Sequence, residues 1–151
     1  MKRLSDRTRG QSLVEFALVL PFFVLLLFGI IDMGRYVYTS NALASGAREA
    51  ARAGSVGSRP SPDCDALTRE QCIVAIADNR SWGVPGAVIS TTADCTRIGP
   101  SSTSTVAANS CRTNDLLNVR TETTFTLVTP LVAQFLGSFT IVGDSSVAVN
   151  Q

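Results

Sequence analysis

Leu13 to Ile31 reads LVEFALVLPFFVLLLFGII, and the fate of this run decides the fold. As a helix it is roughly 28 Å long at about 1.5 Å per residue, close to the hydrocarbon thickness of a bilayer. No charge interrupts it from Phe16 to Ile31, and Phe22, Phe23, Leu25, Leu26, Leu27 and Phe28 leave no polar face. A helix that is apolar all round is either buried in a large core or lies in lipid. The rest of this 151-residue chain is too small to cover it, so a single membrane span is expected.

The flanks set its orientation. Lys2, Arg3, Arg7 and Arg9 precede the run against Asp6 alone, whereas Arg35 beyond it is partly offset by Asp32. The basic side stays in the cytoplasm, so everything after about Asp32 is exported. The four cysteines, Cys64, Cys72, Cys95 and Cys111, all lie on that exported side, where disulfides form and persist. A cleaved secretory signal is disfavoured, because Ile31-Asp32-Met33-Gly34-Arg35-Tyr36 lacks a small-residue cleavage site.

Two residues in the run are out of place. Pro21 lacks an amide donor and crowds the carbonyl of Ala17, so a kink is expected there. Glu15 is an ionisable group near the start of a membrane helix, which is costly unless paired or held at the interface. Its surroundings read Gly10-Gln11-Ser12-Leu13-Val14-Glu15-Phe16. That stretch resembles the processing site of type IV pilin-like precursors, whose basic leader ends in glycine and whose fifth mature residue is glutamate. The segment from Arg9 to Pro21, with Phe28-Gly29-Ile30-Ile31-Asp32-Met33-Gly34-Arg35 and Ala47-Arg48-Glu49-Ala50-Ala51-Arg52-Ala53-Gly54, is similar to the TadE-like pseudopilins of the tight-adherence pilus system. The similarity is strong over the first third of the chain and only general beyond it.

The resemblance implies cleavage between Gly10 and Gln11 by a prepilin peptidase, leaving residues 1–10 as a disposable leader. It further implies that Glu15, followed by Phe16, pairs with the new amine at Gln11 within or between subunits and sets helix registry during assembly. The expected partners are then the bacterial inner membrane, the peptidase, other pilin-like subunits and the pilus assembly machinery. The expected location is a single-pass inner-membrane protein with its C-terminal domain periplasmic or extracellular, or carried in a pilus.

Beyond the span the helical pattern continues to about Ala53, with Gly54 as a stop, so one helix over 11–54 forms span and stalk. Ala42, Gly46 and Ala50 recur at four-residue spacing, which permits close approach of another helix. Arg48, Glu49 and Arg52 mark a solvated side. Gly57, Pro60 and Pro62 read as a loop, and Ala66 to Asn79 as an amphipathic helix ending before Pro85.

Three strands are then expected, at Ala87–Thr92, at Leu117–Val128, and from Phe139 to Val149 with a bend near Gly143. Residues 99–109, with Pro100, read as a loose hairpin loop. The fold class is therefore α+β: a long N-terminal helix, then a small domain over 55–151 of about three antiparallel strands with one short helix. Four cysteines allow three pairings, which spacing alone does not fix. Cys64 with Cys72 and Cys95 with Cys111 is preferred, since it staples a loop to the helix and closes the hairpin loop.

Chemistry is sparse. The chain has no histidine and no Cys-x-x-Cys pair, so neither a zinc site nor a histidine-based nucleophile is expected, and no cofactor or metal is assigned. Asp63 and Asp65 around Cys64 read as a solvated turn rather than a cation site, and Trp82 as a core anchor. A net charge of +1 gives no reason to expect nucleic acid. A structural pilin-like role leads. A permanently anchored extracytoplasmic binding module is the alternative, and a tethered enzyme using outer-domain carboxylates is weaker still.

Overall fold

The structure, a computed structural model, describes residues 5–56, 64, 67–81, 83–84, 88–99 and 102–150. Gly57, Pro60 and Pro62 of the expected loop, Asp63, Asp65, Trp82, Pro85, Pro100 and the leader residues 1–4 lie outside the described residues. In chain order the elements are α1 (Ser5–Ser55), α2 (Arg69–Arg80), β1 (Ile89–Ile98), β2 (Thr103–Ala107), a 3-10 turn (Ala108–Ser110), β3 (Leu116–Thr126), α3 (Pro130–Leu136) and β4 (Ser138–Ala148). The fold is α+β, a long apolar helix followed by a small sheet and short helices.

Two compact units share α1. One comprises the chain to Arg35 with Thr126–Gly137, and the other comprises Tyr36–Phe125 with Ser138–Gln151. The burial of α1 changes character between them. Residues 10–31 contain no buried position, as an all-round apolar surface without a protein partner must look. From Thr39 onward, Leu43, Gly46, Ala47, Ala50, Ala51 and Gly54 are buried at three- and four-residue steps, while Arg48, Glu49 and Arg52 stay exposed. That is one stripe of an amphipathic helix, and it is filled with small residues because other elements approach closely.

The Ala-rich end of α1 is thus built into the domain core. Ala47, Ala50 and Ala51 pack with Ile73 and Ala77 of α2, Cys95 of β1, Leu117 and Val119 of β3, and Val149. Gly46 supplies the close approach that its spacing with Ala42 and Ala50 suggests, and the partner is α2 of the same chain. A Cβ at Gly46 would lie 2.5 Å from Ser81 Oγ and 3.0 Å from the Ala77 carbonyl oxygen.

Helix α2 starts where a capping box closes on its first turn. Thr68 Oγ1 accepts from the Gln71 amide at 3.3 Å, and Gln71 Oε1 accepts from the Thr68 amide at 3.0 Å. The Asn109 side chain then joins the 3-10 turn to α2, accepting from the Glu70 amide at 3.0 Å and donating to the Glu70 carboxylate at 3.2 Å.

The sheet has four strands in the order β2-β1-β3-β4, with β1 antiparallel to both neighbours. The fourth strand is β2, which falls within the expected loose loop. Its residues Thr103–Ala107 pair with Asp94–Ile98 because β1 runs six residues beyond the expected end at Thr92. Thr, Ser and Val suit an exposed edge strand as well as a loop, and only the pairing partner distinguishes the two. Strand β3 alternates cleanly, burying Leu117, Val119, Thr121, Thr123 and Phe125.

Strand β4 runs through Gly143, from Ser138 to Ala148. A Cβ on Gly143 would lie 2.6 Å from both Leu43 C and Ala44 N, so glycine is needed for backbone contact with α1. Thr121 Oγ1 bridges the same contact, 3.1 Å from the carbonyl oxygens of Leu43 and Gly143. Phe125, Phe139 and Tyr36 form an aromatic group with centroids 5.3–6.2 Å apart.

Both disulfides of the local pairing are present. Cys64 bonds Cys72 with Cα atoms 5.3 Å apart, and Cys95 bonds Cys111 at 5.7 Å. The second ties β1 to the segment after the 3-10 turn. Beside it, Asp115 is almost fully buried and receives Arg97 at 3.0–3.3 Å and the Arg112 amide at 2.8 Å. The Arg97 guanidinium, followed by the Arg112 amide, holds the Asp115 carboxyl below its ordinary 3.8, against the upward push of burial.

Candidate functional site

Gly10, Gln11, Glu15 and Phe16 lie on successive turns of α1, and all four are exposed. Gln11 and Glu15 are four residues apart in continuous helix, so they share a face one turn apart, with Cβ atoms about 5–6 Å from each other. Phe16 projects beside Glu15 with 62% of its surface exposed. The helix continues past Pro21 to the end of the apolar run.

The cysteines belong to the other unit, where they form the two disulfides. They are structural staples and contribute no free thiol among the described residues. Among the described residues no group of three or more histidine, cysteine, aspartate or glutamate side chains is placed to hold a metal ion.

One polar residue next to the run has a role that composition alone does not reveal. Asp32 is 5% exposed and follows Ile31 directly. Its carboxylate accepts hydrogen bonds from the Val128 amide at 2.9 Å, the Thr129 amide at 3.0 Å and Thr129 Oγ1 at 2.6 Å. Arg35 Nη1 adds a 3.4 Å contact to the same carboxylate and a 3.3 Å bond to the Thr126 carbonyl. Asp32 is thus a clamp, holding the segment that begins α3 against the end of the apolar run. In sequence it reads only as the charge that partly offsets Arg35. The usable signal was a carboxylate immediately after an apolar run, together with Thr129-Pro130, a helix-start pair.

The helix is long and apolar enough to cross a membrane, and none of its most apolar window is buried. A core helix of a soluble domain would be covered, so the buried-core alternative fails on this point. Residues 10–52 match the family model described as TadE-like protein. The matched segment begins at Gly10 and ends within the Ala-rich stripe, so it takes in the bare apolar half, Asp32 and most of the buried stripe. No curated protein and no solved structure matches the chain.

Proposed function

We propose that this TadE-like chain is a minor pilin-like component of a tight-adherence pilus, anchored in the inner membrane and acting through its N-terminal helix. The observation that carries the reading is the coincidence of three features on one segment. They are the TadE-like match from residue 10, an apolar helix with no buried position over residues 10–31, and Gly10-Gln11 followed by Glu15 one turn on.

In this reading a prepilin peptidase cuts after Gly10, and the leader stays on the cytoplasmic side with its basic residues. The α-amino group of Gln11 then pairs with Glu15 of its own or a neighbouring helix. An unpaired charge in a low-dielectric setting costs several kcal/mol, so the pair favours one registry over its slipped alternatives. The exported disulfide-bonded domain is carried by the same helix, and the role is structural rather than catalytic.

Mass spectrometry of the mature chain tests the proposal directly. A chain beginning at Gln11 in cells with active peptidase supports it. An intact leader there would favour a permanently anchored binding module instead.

A further inference from the structure

Between Glu122 and Asp144 lie 21 residues without a charge, and their middle part is the segment that Asp32 holds. Within it, Val128 is 50% and Phe135 89% exposed. A large aromatic side chain so fully bared is unusual on a surface that faces water. Burial does not explain Phe135, and Gln134 beside it is also exposed.

Position supplies the explanation. Asp32 is the first residue after the apolar run, so on the membrane reading of α1 its carboxylate marks the edge of the hydrocarbon. Thr129 touches that carboxylate, and α3 starts at the next residue. Seven residues of helix span about 10 Å at 1.5 Å per residue, so α3 remains within reach of the head-group layer wherever it points along the surface. On α1, exposed Ile30, Ile31 and Met33 flank Asp32.

We infer that Val128 to Gly137, with Phe135 at its most exposed point, is an interfacial foot that inserts into the lipid leaflet reached by the C-terminal end of the apolar run. Its occupant is lipid: the segment carries no charge to recognise an ionic partner, and it is continuous with a helix surface already given over to lipid. Asp32 gives the foot its depth, because the carboxylate is satisfied by Val128 and Thr129 rather than by water. The inference rests on α1 spanning the membrane, and its test separates the two.

The test uses the full-length chain in vesicles of phosphatidylethanolamine and phosphatidylglycerol, with bromine placed on the acyl chains either near the head group or near the terminal methyl. Tryptophan is introduced as Phe135→Trp, as Val128→Trp, or as Phe23→Trp within the span, and wild-type emission from Trp82 is subtracted. For a side chain about 5–10 Å deep, shallow bromines should reduce emission about twofold and deep bromines should do less. Phe23→Trp should show the reverse preference. Quenching of Phe23→Trp without quenching at positions 128 and 135 overturns the foot and leaves the span intact. No quenching at position 23 removes the span and the foot with it. Emission at position 135 that escapes bromine and shifts when the protein is diluted into excess lipid would mean that a second copy covers the segment, which also overturns the inference.

Discussion

Thr129 Oγ1 donates a 2.6 Å hydrogen bond to the carboxylate of Asp32, 97 residues earlier in the chain. Together with the amides of Val128 and Thr129, it turns the first charged position after the apolar run into a structural clamp. Hydrogen bonds to an ionised acceptor contribute about 1.5–3 kcal/mol each when buried. Asp32→Asn should therefore raise amide exchange at Val128 and Thr129 about tenfold or more in detergent-solubilised protein, since about 1.4 kcal/mol corresponds to tenfold. Unchanged exchange would mean that the clamp is dispensable.

Glu15→Gln keeps the size and polarity of the side chain and removes its charge. Cleavage after Gly10 should proceed as in wild type, while incorporation into pilus material falls at least tenfold, equivalent to about 1.4 kcal/mol of lost pairing. Immunoblots of sheared pilus material and of membranes give the two quantities separately. Normal processing with normal incorporation would remove the electrostatic role of Glu15.

Gly143→Ala should destabilise the domain by about 1–3 kcal/mol, because its Cβ would meet Leu43 and Ala44 backbone atoms that cannot move aside. Thermal unfolding followed by circular dichroism would show the lower Tm. Gly34→Ala is the matching control. Its Cβ meets nothing within 4 Å, so this substitution should not lower the Tm.

The two disulfides should differ in strength because they close loops of different length. With sequence separations of 8 and 16, loop-closure entropy gives about 2.5 kcal/mol for Cys64–Cys72 and about 3 kcal/mol for Cys95–Cys111. Paired Cys→Ser variants compared by denaturant unfolding test this. The Cys95–Cys111 double variant should also be the worse folder, since Cys95 is fully buried in the core.

Acid should act on the domain through Asp115. Its folded pKa lies below the ordinary 3.8, so its stabilisation is fully present above that value and is lost as pH falls through the lower folded value. Asp115→Asn should therefore be less stable than wild type near neutral pH, with the gap narrowing only below pH 3.8. Chemical denaturation at a series of pH values measures the gap. A constant difference across that range would mean that the Arg97 pairing does not carry the dependence.

Much of the architecture was readable residue by residue. The all-round apolar run, the Ala-rich continuation, the amphipathic pattern before Arg80 and the alternation of β3 each express a local period that sequence displays directly. Strand β2 was not readable, because Thr103–Ala107 is polar and short and becomes a strand only through the extended end of β1. Helix α3 was missed for a related reason. Its seven residues lie in an uncharged stretch between two strands, where an apolar run does not separate strand from helix. The Thr68–Gln71 capping box, by contrast, was present as a readable pattern and fixes the start of α2 closer to Arg69 than to Ala66.

What the sequence determined by itself about this chain is the division between an uncharged apolar helix and a polar remainder that carries the cysteines. Hydrophobicity, charge placement and cysteine position are properties of composition along the chain, and no contact is needed to read them. What only the tertiary structure decided is how the second half of α1 is used and where Asp32 finds its partners. Small residues at helical spacing say that something comes close without naming it, and here it is α2 and β4 of the same chain. A lone carboxylate after an apolar run likewise says that partners are needed. That they come from Val128 and Thr129 follows from the return of the chain after β3, a long-range relation that no local pattern encodes.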